Sequence, residues 1–385
     1  MIERELSKKV KSLAKKMPII AIVGPRQSGK TTLAKTLFKN KPYISFENTD
    51  VRSHALNDPR DFLGRYPKGA IFDEVQRAPE LFSYLQGVVD EKDKPGMFIL
   101  TGSQHFLLLE KVTQSLAGRV GILELLPFSL QELSKSKLLE DSVDEVIFKG
   151  LYPRIYDKNL NPVDWYADYI EAYLERDVRQ ITNIKNLSTF KKFLSLCAAR
   201  VGQLLNLSSL AIECGITHTT AREWISILEA SFIIYLLQPH HKNFNKRVVK
   251  MPKLYFYDTG LVCSLLNIEN KEQLSTYPLR GNIFETFIMS ELLKQRFNKG
   301  LKSNLYFWRD KTGHEVDCIV ESAGSLTPIE IKSGKTINNE MFKNIEYWKK
   351  ISGKSKNDSY LIYGGSNNQK RSGVNVLSWK DCNIL

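Results

Sequence analysis

Long hydrophobic runs are missing from this chain: the longest apolar stretches, such as Phe232 to Leu237 and Ile122 to Phe128, are short and interrupted, well below the roughly 18 to 20 apolar residues of a membrane span. The opening residues, MIERELSKKVKSLAKK, also lack the apolar stretch and small-residue cleavage site of a signal peptide. A cytoplasmic protein with no membrane partner is expected, beginning with an amphipathic helix. Cysteine is scarce and scattered: Cys197, Cys214, Cys263, Cys318 and Cys382 are odd in number and show no CxxC spacing, which excludes a disulfide framework and a zinc site. No repeat and no low-complexity tract is present. Acidic residues are the minority, 42 against 55 basic, and the resulting charge of +13 favours a polyanionic partner such as nucleic acid.

What is present is enough for two or three domains, since 385 residues at roughly 150 per domain exceeds a single small module. Ile19 to Val23 reads IIAIV, the continuous apolar pattern of a strand buried on both faces of a parallel sheet. Strand patterns recur at Tyr43 to Phe46, Gly69 to Phe72, Met97 to Thr101 and Gly121 to Leu125, with helical periodicity between them. One of those helices is expected over Leu107 to Leu116. Residues 1–130 are therefore expected to be one α/β domain with a parallel sheet. Residues 131–186 read as a helical lid, including Val163 to Gln180. Residues 187–262 give helix, helix, turn, helix and two strands, the order of a winged helix, with Ser208 and Thr217 opening its second and third helices. Residues 263–385 form a second α/β domain, with strands at Leu305 to Arg309, Glu315 to Val320, Pro328 to Ile331 and Ser359 to Tyr363.

The first strand runs into Gly24-Pro25-Arg26-Gln27-Ser28-Gly29-Lys30-Thr31, the GxxxxGK[ST] pattern, followed by Thr32. This spacing turns backbone N–H groups and a helix N-terminus toward phosphate oxygens. Lys30 then supplies charge to the β- and γ-phosphates of ATP, and Thr31 a hydroxyl to Mg²⁺. The third strand delivers Asp73 and Glu74 at its C-terminal end, where such sheets place ligands. Asp73 suits Mg²⁺, and Glu74 suits polarisation of the attacking water. Ser103, with Thr101 as its alternate, is placed to sense the γ-phosphate. Arg119 sits where it reaches a neighbouring subunit's γ-phosphate, which implies a homo-oligomer.

The stretches GPRQSGKTTLAKTLF, IFDEVQRAPELF, FILTGSQ, LAGRV, LLPFSLQEL, GLYPRIY and YLERDVRQI together resemble the prokaryotic AAA+-type ATPases that carry a C-terminal domain of unknown function. That resemblance spans nearly the whole chain and implies ATP binding and hydrolysis in the first domain.

Two further constellations bear on what the ATPase acts upon. In the winged-helix stretch, Thr217, His218, Thr220 and Arg222 stand at the start of a recognition helix, and Lys242, Lys246 and Arg247 on the wing face phosphates. In the last domain, Glu285 of GNIFE, Asp317 of GHEVD and the Glu330-Ile-Lys332 triplet combine carboxylates for Mg²⁺ or Mn²⁺ with a lysine that orients water. Strand alternation puts Glu330 and Lys332 on one face. This pattern resembles the PD-(D/E)xK nuclease fold, as in archaeal Holliday junction resolvases, and implies catalytic roles for Asp317, Glu330 and Lys332. The expectation is an ATPase acting on branched or duplex DNA, with a nuclease-like domain at its end. The alternative is an oligomeric nucleotide switch acting on a protein partner, its last domain inactive.

Overall fold

The computed structural model describes residues 2–103, 116–173, 186–240, 248–353 and 358–385. The helix expected over Leu107 to Leu116, most of YLERDVRQI, and Lys242, Lys246 and Arg247 lie outside the described residues, apart from Leu116 and Tyr173. Two compact units result, Met1–Phe128 with Ala230–Phe232 and Arg296–Leu301, and Ser129–Glu229 with Ile233–Gln295 and Lys302–Leu385. Among the described residues no helix is long and apolar enough to cross a membrane.

The first unit is built on a five-stranded parallel sheet of β1 (Ile19–Val23), β2 (Tyr43–Ser45), β3 (Ile71–Asp73), β4 (Phe98–Gly102) and β5 (Val120–Glu124). All five residues of β1 are fully buried, as their unbroken apolar run predicts. Ile19 pairs with Phe98 on one side and Val120 on the other. Strand order is β2-β3-β4-β1-β5, so the chain leaves β1 in one direction and later returns past it in the other. Ligand crevices open at such reversals, beyond the strands' C-terminal ends.

Alternation sorts the side chains into two layers. Ile20, Ile22, Ile71 and Ile99 face Leu6 and Val10 of the N-terminal segment, whose helix α1 spans Ser7–Leu13, and Leu33 of helix α2, Lys30–Leu37. On the opposite side Phe72 stacks on Phe98, with ring centroids 5.4 Å apart, beside Phe46 and Phe62. Each such buried side chain contributes roughly 1.5–3 kcal/mol relative to leaving it exposed.

The second unit begins with a capping box, in which Ser129 and Glu132 exchange bonds at the start of the helix Leu130–Lys135. Asp258 ties the next helices together by accepting from Leu151 N (2.8 Å), Leu261 N (3.1 Å) and the Tyr166 hydroxyl (2.6 Å). Three helices follow, Leu187–Ala198, Leu207–Cys214 and His218–Ala230, then the antiparallel pair β6 (Ile234–Leu237) and β7 (Lys253–Phe256). Trp224 packs edge-on against Phe190 and Phe193 between the helices. The second helix is capped by Asn206, which accepts from Ser209 N, two residues before the Ser208 cap that its sequence suggests.

After the helix Arg280–Asn298 comes a six-stranded mixed sheet. Strands β8 (Leu305–Arg309), β9 (Glu315–Ser322) and β10 (Ser325–Lys332) form an antiparallel meander. The helix Lys343–Ser352 then carries the chain to β11 (Tyr360–Tyr363), parallel to β10. Two strands absent from the sequence expectation, β12 (Gln369–Arg371) and β13 (Val374–Ser378), complete the sheet.

Gly150 has φ +65°, and a Cβ there would meet the Tyr166 hydroxyl at 1.9 Å and Asp258 Oδ1 at 2.6 Å. Gly150→Ala is predicted to cost about 2 to 3 kcal/mol, read as a lower denaturant midpoint at unchanged slope. A midpoint equal to wild type would remove the Asp258 junction as an anchor of this unit.

Candidate functional site

The phosphate loop leaves β1 and enters α2 beside the sheet's reversal point. At Gly24 φ is +151° and a Cβ would lie 2.1 Å from Leu125 O; at Gly29 φ is +94°. Side chains are excluded at both, so the backbone can curl. Lys30 is buried and donates to Gly24 O (2.9 Å) and Pro25 O (2.7 Å), which ties it inside the loop. Ser28 is buried, Arg26 is half-buried, and Gln27 and Thr32 are exposed.

Hydroxyl groups converge on Asp73 at the end of β3. Thr31 donates to it at 3.0–3.1 Å, Tyr43 donates to Oδ2 at 2.7 Å, and Thr101 also donates to Oδ1. Burial, together with the Asp73 carboxylate, raises the Tyr43 phenol well above its ordinary range. Next in sequence, Glu74 adopts a left-handed φ of 53°, and its Oε2 accepts from Ser103 (3.1 Å) and from Gln76. A threonine hydroxyl beside a carboxylate is an oxygen-only donor set that fits Mg²⁺. Ser103, expected as a phosphate sensor, thus holds Glu74, and Thr101 holds Asp73.

Three residues here carry no sequence signal as site residues: Tyr43, Gln76 and Arg4. The Arg4 guanidinium, 8% exposed, donates to Ser28 O (2.6 Å), Leu126 O (2.5 Å) and Pro127 O (3.4 Å), joining the phosphate loop to the chain beyond β5. Arg119 is bonded within its own chain, to Asp90 (Nη2 to Oδ2, 2.8 Å) and Ala117 O (3.0 Å). That guanidinium holds the Asp90 carboxyl below the usual carboxylate range.

The second constellation lies in the other unit. Lys332 bridges Asp317 Oδ2 (3.1 Å) and Glu330 Oε1 (2.6 Å), and Asp317 Oδ2 also accepts from Ile331 N (2.8 Å). Asn344 donates to Glu330 Oε1 at 3.1 Å, while the buried Glu330 Oε2 has no partner. Glu285, expected as a further oxygen ligand, is instead bonded to Lys253 (2.9 Å) and to the Tyr255 hydroxyl. Lys253 also pairs with Glu315, which takes Arg309 at 3.0 Å. Among the described residues no group of three or more His, Cys, Asp or Glu side chains is arranged to hold a metal. The orphaned Glu330 oxygen beside Asp317 leaves a two-carboxylate, oxygen-only donor set, which fits one hard divalent ion.

Burial sets the protonation of this cluster. It pushes the Glu330 carboxyl up to about 8, with Asp317 adding to the effect against Lys332 and Asn344. Burial also raises Glu285, although Lys253 pulls it down. For Lys253 burial alone lowers the ammonium's range, but Glu285, Glu315 and Asp317 together outweigh it and raise it.

On the helix His218–Ala230, Thr217 accepts from Thr220 N at 3.1 Å as a cap, and Thr217, His218 and Arg222 are exposed. Pro239 and Val248 form bridges to Phe307 and Asp310 at the edge of the mixed sheet.

Residues 16–134 match the AAA domain family, 140–272 a domain of unknown function (DUF8612) and 280–382 another (DUF4143). The chain is 31% identical over 337 residues to uncharacterized proteins of Mycobacterium tuberculosis (Rv2008c) and Mycobacterium bovis (Mb2031c), covering 86% of this chain and 74% of each of theirs. It belongs to their family. Its first domain is an AAA-type P-loop ATPase domain. Among solved structures, the Walker-type ATPase PABY2304 of Pyrococcus abyssi is similar with 15% identity and TM-score 0.47, over 69% of this chain and 96% of that one. AMPPCP-bound DnaA from Aquifex aeolicus is similar with 17% identity and TM-score 0.27, over 58% and 85%.

Glu330 yields a pH prediction for the metal-free protein. From pH 4.5 to about 8 the folded state keeps a proton that the unfolded chain has released, so stability falls as pH rises through that window. Melting temperatures across pH 5 to 9 should decline less steeply in Glu330→Gln, whose amide stays neutral. Parallel declines in the two proteins would refute a neutral buried Glu330.

Proposed function

We propose that this member of the family is an ATP-hydrolysing, homo-oligomeric ATPase that acts on DNA, with a metal-dependent nuclease-like domain at its end. The carrying observation is the pairing of the Thr31 hydroxyl with the Asp73 carboxylate at 3.0–3.1 Å, next to a Glu74 held by Ser103 and Gln76. Lys30 and the loop N–H groups bind the β- and γ-phosphates of ATP. Thr31 and Asp73 hold Mg²⁺, whose role is to neutralise charge on those phosphates. Glu74 takes the proton of the attacking water, and Ser103 and Gln76 keep its carboxylate oriented. Arg119 supplies charge to the site of a neighbouring subunit.

Action on DNA is supported by the +13 charge and by the order of three helices and a strand pair over residues 187–256, read as a winged helix. Thr217, His218 and Arg222 are exposed at the start of its last helix to meet a groove. Lys242, Lys246 and Arg247 are proposed to meet phosphates. In the nuclease-like domain, Asp317 and Glu330 hold Mg²⁺ or Mn²⁺, and Lys332 stabilises charge on the attacked phosphate. The helix, three-strand meander, helix and parallel strand from Arg280 to Tyr363 support that reading.

The second reading, a nucleotide switch on a protein partner with an inactive last domain, is favoured by one observation: Glu285 is engaged by Lys253 and Tyr255.

Glu74→Gln is expected to keep ATP binding, measured by calorimetry, and to lose on the order of 10²-fold or more in phosphate release. Lys30→Ala is expected to lose binding itself. Turnover of the wild type should rise with one of single-stranded, duplex or four-way-junction DNA. Turnover indifferent to all three would favour the protein-partner switch, and undiminished hydrolysis by Lys30→Ala would overturn the nucleotide assignment.

A further inference from the structure

Lys253 is an unusual place for an ammonium. It lies on β7, 64 residues before Asp317 in the sequence, yet its side chain is only 3% exposed and reaches the acids of the C-terminal sheet. Glu285 from the helix Arg280–Asn298 holds it at 2.9 Å, and Glu315 at the start of β9 holds it from a second direction. Both anchors are themselves fixed, Glu285 by the Tyr255 hydroxyl and Glu315 by Arg309 at 3.0 Å. Burying an ammonium costs several kcal/mol after relaxation, so it persists only where the surrounding carboxylates compensate.

Charge bookkeeping suggests what Lys253 replaces. Glu285, Glu315, Asp317 and Glu330 are four carboxylates, and Lys253, Lys332 and Arg309 are three cations bonded to them. One negative charge is left over when all are ionised. A single divalent ion turns the centre to one net positive charge, suited to a phosphodiester, whereas two would leave three positive charges in a largely buried site. The oxygen donors agree. Among the described residues both bonds that Asp317 accepts fall on Oδ2, and buried Glu330 Oε2 has no partner, so the two acids have one oxygen each to offer a metal.

Resting on the nuclease-like reading, we propose that this centre is a one-metal site in which Lys253 supplies the second positive charge from the protein. One divalent ion is held by Asp317 and Glu330. Lys253, locked by Glu285 and Glu315, occupies the remaining carboxylates, so that the centre presents one metal to the phosphate of a nucleic-acid strand while the buried ammonium sets the charge behind it. Lys253 is thus a positioning and charge-setting residue outside the ExK triplet.

The test is Mn²⁺ binding to the intact chain without nucleotide, carrying Asp73→Asn to silence the first-domain site. Stoichiometry is read by calorimetry and by the electron paramagnetic resonance signal of free Mn²⁺. The parent should take one ion per chain, Glu330→Gln none, and Lys253→Arg one. Lys253→Met, which frees Glu285 and Glu315, should take two. Two ions with Lys253 intact, or a folded Lys253→Met that still takes one, overturns the proposal while leaving the nuclease-like reading standing. Should Lys253→Met fail to fold, the count on the parent decides between one ion and two. No binding by the parent at millimolar Mn²⁺ overturns the nuclease-like reading and this proposal with it.

Discussion

Everything in the first unit depends on one strand having no exposed face. Because β1 pairs with β4 on one side and β5 on the other, and its five residues are fully buried, it cannot slide or fray. The loop that follows inherits that rigidity. Gly24 passes so close to Leu125 O that no side chain fits, and Arg4 fastens Ser28 to Leu126 and Pro127 from the other side. A phosphate-binding loop works by having its N–H groups already pointed inward, since reorganising them on binding would cost affinity. The buried strand and the guanidinium clamp supply that preorganisation before nucleotide arrives.

A second rule governs the other unit: a charge removed from water needs a partner at once. Glu291 is bonded to Lys294 at 2.6 Å and to Leu130 N at 2.8 Å; Arg280 meets Asp144 at 2.8 Å and Ser333 O at 3.1 Å. The Glu291–Leu130 and Arg280–Asp144 bonds join elements 161 and 136 residues apart, the Glu291–Lys294 pair closes within one helix, and each ion pair balances its own charge. The Asp317 and Glu330 cluster differs, because its acids outnumber its bases and one buried carboxylate oxygen has no partner. Imbalance of that kind is tolerated where a ligand completes the site, which separates this cluster from the structural ion pairs around it.

Sequence pattern exposes features whose cause is local. IIAIV is readable because burial on two faces removes every polar residue at once, and GPRQSGKT because the turn demands glycine at fixed spacing. The ExK triplet is readable because period-two alternation puts Glu330 and Lys332 on one face of β10. Arg4 is not readable: its partner Leu126 lies 122 residues away, and an arginine in a basic N-terminal helix looks like a solvated charge. Lys253 is hidden in the same way by the basic run before it, and Tyr43 by its place on a short edge strand. Strand β12 is three polar residues, Gln-Lys-Arg, with no alternation to detect, although its partner β13 does alternate in burial. Residues fixed by contacts across the sequence therefore stay silent until the fold brings their partners together.

The Asp90 pairing bears on the oligomer. Arg119 binds Asp90 within its own chain, which at first argues against a role at a neighbour's nucleotide. Both side chains are substantially exposed, 33% and 45%, and exposed ion pairs of this kind contribute little to stability and weaken further with salt. A γ-phosphate carries more charge than a carboxylate, and in a closed interface it is screened less. In the proposed oligomer, therefore, releasing Asp90 costs Arg119 little when it turns to a neighbour's γ-phosphate. The weakness of the Arg119–Asp90 pair thus leaves Arg119 available to the role proposed for it at a neighbour's ATP.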